Sequence, residues 1–222
     1  MSDMAMDGMS HADWSLAGAG AFVALWTVMM AAMMLPAAAP MIVMFASVQT
    51  RRTGSEVVST WIFVSGYLLV WLVAGLLVHI IVQIARDIPP VLSSAPQADW
   101  GSIALGFTVI AAGLYQFTPL KRVCLRHCRS PLAFVVQHWR DGKFGSVLMG
   151  LQHGTYCLGC CWVLFAVLVV AGTMSVAWML LLTLFVFAEK VFPHGQRISA
   201  AIGIALVVLG ILISSGTTLM QI

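Results

Sequence analysis

Residues 57–84 read VVSTWIFVSGYLLVWLVAGLLVHIIVQI, a run without a single aspartate, glutamate, lysine or arginine. As one helix rising about 1.5 Å per residue, it is longer than the roughly 30 Å of hydrocarbon in a bilayer. Its natural solvent is lipid. Working outward, further apolar stretches lie at 16–46, 102–118, 145–171, 175–191 and 198–220. Together they predict an all-α, polytopic membrane bundle of six transmembrane helices. Composition points the same way: of 222 residues, 61% are hydrophobic and 9% charged, against roughly 45–50% and 25% in a soluble domain. The net charge of +3 is explained by topology before nucleic acid is invoked, and no nucleic-acid partner is expected. Pro36 and Pro40 predict a kink or break in the first span before Met41.

Orientation follows from the basic residues, which short loops retain on the cytoplasmic side. Arg51 and Arg52 follow the first span, and Lys121, Arg122, Arg126, Arg129, Arg140 and Lys143 separate the third from the fourth. Lys190 and Arg197 separate the fifth from the sixth. Arg86 alone falls on the other side, beside Asp87 and Asp99, and the N-terminal tail carries Asp3, Asp7 and Asp13 without a base. Both termini are therefore expected outside the cytoplasm, with the protein in a bacterial inner membrane. The acidic tail lacks the positive start of a cleavable signal, so the first span reads as an uncleaved anchor. The chain divides into a Met/His/Asp-rich tail over 1–15 and one transmembrane domain over 16–222. Between the third and fourth spans, residues 131–141 read either as a short interfacial helix or as an extension of the fourth span. No internal repeat is evident.

Five cysteines lie between positions 124 and 161, on the side where basic-loop counting disfavours structural disulfides. His153, Cys157, Cys160 and Cys161 fall within an arc of about 100° on one helix, and Met149 extends the stripe. Imidazole and thiolate suit a borderline or soft ion. His153 and Cys161 are about 12 Å apart along a helix, so one ion cannot take all four and a second element must contribute. Cys124 and Cys128, a helical turn apart in the adjoining loop, are candidates, as they are for simple packing. Gly150 and Gly154 offer a small-residue face for a neighbouring helix.

The first span adds thioethers. Met30, Met34 and Met41 share one face, with Met33 beside it, near mid-membrane depth. Thioethers favour Cu(I) over hard cations, although such a stripe alone is equally good packing material. Met1, Met4, Met6, Met9 and His11 give the tail the look of a copper-capturing segment or of a disordered polar one. Glu189 ends the fifth span and needs a partner, for which Lys190, His194 or a bound ion would serve. His79 and His138 read as interface residues. No phosphate loop, Ser/His/Asp set or paired carboxylates are visible, which removes the hydrolase and kinase classes.

The motifs Met30-Ala-Ala-Met33-Met34-Leu-Pro36, Cys124-Leu-Arg-His-Cys128-Arg-Ser-Pro131-Leu, His138-Trp139-Arg140-Asp-Gly142, His153-Gly-Thr-Tyr156-Cys157-Leu-Gly-Cys160-Cys161-Trp162 and Glu189-Lys190 occur in that order. In them the chain resembles a bacterial domain-of-unknown-function family of predicted metal-binding integral membrane proteins. The likeness covers nearly everything beyond the tail. It implies a polytopic protein with a metal site and names no reaction. Copper is inferred from donor softness, with zinc as the other option. The candidate ligands are His153, Cys157, Cys160, Cys161, Met30, Met33, Met34, Cys124, Cys128 and Glu189.

Three functions fit this reading. The first is Cu(I) handling or cuproenzyme assembly, with the bilayer, a second copy, a copper protein or an enzyme subunit as partner. The second is a membrane copper oxygenase or a subunit of one. The third is a thiol-disulfide oxidoreductase built on the Cys157-x-x-Cys160 spacing; its thiols lie on the wrong side of the membrane for oxidising exported proteins.

Overall fold

The computed structural model describes residues 15–53, 57–87, 97–170 and 176–215, and these are all-α. In chain order the helices are α1 (Leu16–Thr53), α2 (Val57–Asp87), α3 (Gln97–Tyr115), α4 (Pro119–Arg129), α5 (Pro131–His138), α6 (Gly142–Val170), α7 (Val176–Val191) and α8 (Gly195–Ser214). Residues 1–14, which hold the methionines and His11 of the tail, lie outside the described part.

Four helices are long and apolar enough to cross a bilayer: Leu16–Arg52, Ser59–Ile84, Gly142–Val170 and Gly195–Ser214. A fifth crossing arises if Ile103–Tyr115 and Pro119–Arg129 count as one span bent by 63°. The described part of α7, read from sequence as the fifth span, has 16 residues, about 24 Å of helix and less than the hydrocarbon thickness.

Two sequence expectations are corrected here. Pro36 and Pro40 do not break α1, which is helical from Leu16 to Thr53; a bundle tolerates such prolines because neighbouring groups satisfy the freed carbonyls. Cys124 and Cys128 do not sit in a loop. The Thr118 side chain caps the backbone N–H of Lys121 at 3.3 Å, and Pro119 occupies the first turn, so residues 119–129 start a helix of their own. Pro131 then begins α5, settling the choice at 131–141 in favour of a separate short helix. Gly142, at φ 82°, makes the left-handed turn into α6 that a side chain would resist.

Small residues set the helix contacts, letting backbones approach closely. On α6, Gly150 lies against the Phe63 carbonyl and Gly154 against Val70 and the Tyr67 carbonyl of α2. The small-residue face expected at these two positions is therefore in use. On the far side, Gly106 and Gly113 of α3 meet the carbonyls of Gly210 and Gly203 of α8. Helix α1 packs on α2 and α7, and α4 packs on α6. The sequence Gly150→Ala places a methyl group against backbone that cannot rotate away. A loss of about 1–3 kcal/mol is expected in an unfolding titration, whereas Gly20→Ala, with open space around it, stays within about 1 kcal/mol of wild type.

Candidate metal centre

The inward stripe of α6 is built by Met149, His153, Cys157, Cys160 and Cys161, every one of them buried. Burial follows from the glycines: with Gly150 and Gly154 in the same stripe, α2 comes close enough to close over it. On the neighbouring side Gly159 makes room for α4, whose Cys124 sulfur would stand 2.8 Å from any Cβ added there. The α4 and α6 thiols thus share one core. That core also contains Met30, Met33 and Met34 of α1, with Tyr67 and Trp71 of α2, and Cys128 packs on its edge. All five cysteines are free thiols.

Cys157 is the hub. The Lys190 ammonium donates to its sulfur at 2.9 Å, and the Tyr67 hydroxyl lies 3.1 Å from the same atom. Its backbone carbonyl accepts both the Cys160 and the Cys161 thiols, each at 3.0 Å. Cys160 in turn interacts with Cys128 and Cys161. A cation and a phenol therefore meet the Cys157 sulfur, while two thiols of the next turn bond its backbone carbonyl. Sequence reasoning missed Tyr67, although a tyrosine deep in an apolar span needs a partner for its hydroxyl and so carried a signal.

His153 occupies an aromatic box, its ring 5.8 Å from Tyr67, 6.2 Å from Phe63 and 5.6 Å from Phe134. Its Nδ1 is buried and has no hydrogen-bond partner. An orphan imidazole nitrogen is costly unless something is bound to it, and it lies one turn from Cys157.

Glu189 is engaged elsewhere. Both of its carboxylate oxygens accept from Lys121, at 2.9 and 2.8 Å, inside a pair almost wholly shut off from solvent. Lys121 also donates to Gln116, which accepts from Ser199 at 3.1 Å. The partners expected for Glu189 thus change: Lys190 goes to Cys157, His194 is exposed at the start of α8, and Lys121, read as a loop residue, supplies the charge. His79 is buried against Phe22, with ring centroids 5.2 Å apart. His138 stacks on Phe134 at 4.6 Å.

Among the described residues, no three His, Cys, Asp or Glu side chains are gathered tightly enough to hold an ion. Zinc, which calls for four such donors in a structural site, has no support. Cu(I) makes a different demand, being served by fewer and softer donors, thioethers included. The donors brought together here are of that kind: thiols from two helices, thioethers from a third and one unpartnered imidazole.

An apolar helical bundle enclosing a sulfur-lined core is the class of molecule that these features define. Residues 23–213 match the model of the PpoB2 family, described as a copper chaperone, and the chain belongs to that family. No curated protein and no solved structure matches it.

Proposed function

We propose that this chain is an integral membrane copper chaperone that carries Cu(I) as cargo and passes it to a copper protein or a cuproenzyme subunit during assembly. The bundle lies in a bacterial inner membrane with six spans and both termini outside the cytoplasm, α3 with α4 and the short α7 completing the count. Cys157, Cys160 and Cys161 are the principal donors, with His153, Cys124 and Cys128 adjoining. Met30, Met33 and Met34 form the softer approach along α1. Glu189 acts as the counter-ion of Lys121 rather than as a ligand.

The observation that carries this reading is the convergence of thiols from α4 and α6 with the thioethers of α1 in one buried core, in a member of a copper chaperone family. Such a core excludes water and hard cations and keeps a soft ion from the aqueous phase. The test is anaerobic Cu(I) loading of the purified protein with metal analysis. Wild type is expected to bind copper in stoichiometric amount. The triple variant C157S/C160S/C161S is expected to lose at least nine-tenths of it, since hydroxyls are poor donors to Cu(I) (a loss of about tenfold or more). Equal copper in both would remove the reading.

A further inference from the structure

Arg122, Arg126 and Arg129 follow each other at spacings of four and three residues along α4, which puts them on one face of that helix. Facing them is the first turn of α8, with Gln196 and Arg197. Between the two lies a cavity of about 300 Å³ lined by Arg122, Arg197, Gln116 and Ser199, with Lys121 in its buried wall. A second cavity of about 180 Å³ shares Leu125 and Gln196 with the first and is lined by Arg126 and Arg129. The charge in this crevice is not balanced from within. Lys121 is committed to Glu189, and Arg129 donates to the Phe192 and Pro193 carbonyls at 2.5 and 2.7 Å. Among the described residues the ion pairs are Lys121 with Glu189 and Arg52 with Asp141, so Arg122, Arg126 and Arg197 face the cavities without a carboxylate.

Retention of positive charge on one side of a membrane accounts for arginines in this region. It does not account for Arg122 and Arg197 meeting across a cavity with a buried polar wall, with Arg126 lining a second cavity alongside. The N-terminal end of α8 adds the positive end of a helix dipole to the same space. Beside the cationic rim, Phe117 of the cavity wall and Val123, next to the arginine face of α4, are exposed, at 44% and 51%. A cationic recess against an apolar outer ridge is complementary to an amphiphile with an anionic head.

We propose that the crevice between α4 and the first turn of α8 binds the phosphate of an anionic membrane phospholipid. Arg122 and Arg197 hold the phosphate from opposite walls, Arg126 adds charge from the side, and the acyl chains lie over Phe117. The proposal rests on the membrane reading and not on the copper reading. Because α4 also carries Cys124 and Cys128, an occupied crevice steadies the helix that brings two of the thiols to the core.

The test uses the full chain, delipidated in detergent and returned to bilayers of phosphatidylglycerol with phosphatidylcholine, and quantifies co-purifying lipid by mass spectrometry. Wild type is expected to retain phosphatidylglycerol in preference to phosphatidylcholine. R122Q/R197Q is expected to retain about tenfold less, and the single variants R122Q and R197Q about threefold less each, while R140Q/K143Q, outside the crevice, matches wild type. Far-UV circular dichroism and monodisperse elution of the crevice variants in detergent are expected to match wild type, which shows them folded whether or not the copper reading holds. Equal lipid retention in wild type and all crevice variants overturns the proposal. So does saturable binding of radiolabelled inorganic phosphate without any lipid preference, which would assign the crevice to a free anion.

Discussion

Lys121→Met is expected to destabilise the bundle by about 3–5 kcal/mol, because it strips the cation from a buried pair and leaves the Glu189 carboxylate without compensation. The ammonium is fully engaged: both Glu189 oxygens accept from Lys121, and Gln116 accepts from it as well. An uncompensated carboxylate at this position has to find water or take up a proton, and each opens the junction of α4, α7 and α3. Unfolding in mixed micelles, followed by circular dichroism, measures the loss. The double variant K121M/E189L supplies the discriminating comparison. Replacing both charges by apolar groups of similar size is often close to neutral, so the double variant is expected to recover most of the stability. A double variant as unstable as the single one would show that the loss does not come from an uncompensated Glu189 carboxylate.

The second large effect is expected at Lys190. Its ammonium donates to the Cys157 sulfur at 2.9 Å from a buried position, and Tyr67 approaches the same sulfur from α2. A partner that orients a metal-binding group typically matters by 10–100-fold in metal affinity. Lys190→Met is therefore expected to weaken Cu(I) binding by about 10–100-fold in competition with a chromophoric Cu(I) chelator, while circular dichroism shows the helices intact. Tyr67→Phe removes a neutral partner and is expected to cost about tenfold or less. Unchanged affinity in Lys190→Met would mean that the Lys190 contact does not prepare Cys157 for the metal.

Much of this architecture was legible from residue order, and the exceptions have physical reasons. The apolar runs were legible as helices because segments of bilayer-spanning length and apolarity are best satisfied by hydrogen bonds within one helix. The α6 stripe was legible because helical periodicity fixes which of His153, Cys157, Cys160 and Cys161 share a face. The role of Gly150 and Gly154 was legible for the same reason. Helix α4 was not, because Lys121, Arg122, Arg126 and Arg129 gave it the charge density of a loop, and its start depends on one local device, the Thr118 cap before Pro119. The partner of Glu189 was out of reach as well: Lys121 lies 68 positions earlier, and a nearer cation, Lys190, was the obvious choice. Continuity of α1 through Pro36 and Pro40 was hidden because the groups that compensate a proline come from other helices.

The length of α1 has a consequence of its own. Thirty-eight residues make a rod of about 57 Å, nearly twice the hydrocarbon thickness, so in a bilayer it must either lean steeply or stand proud of the headgroups. Its far end is not left bare: Phe45 stacks on Phe63 at 4.7 Å and touches Trp139 at 5.8 Å, and Arg52 sits over the Trp139 ring at 5.1 Å. Met41, Phe45, Phe134, Val135 and Met149 form a second core there. That shoulder fixes the protruding end to α5 and α6, so a thinner or thicker bilayer cannot be absorbed by α1 swinging alone. In the membrane placement proposed above, hydrophobic mismatch would be transmitted through the shoulder to the whole bundle, tying the inclination of the methionine-bearing rod to bilayer thickness.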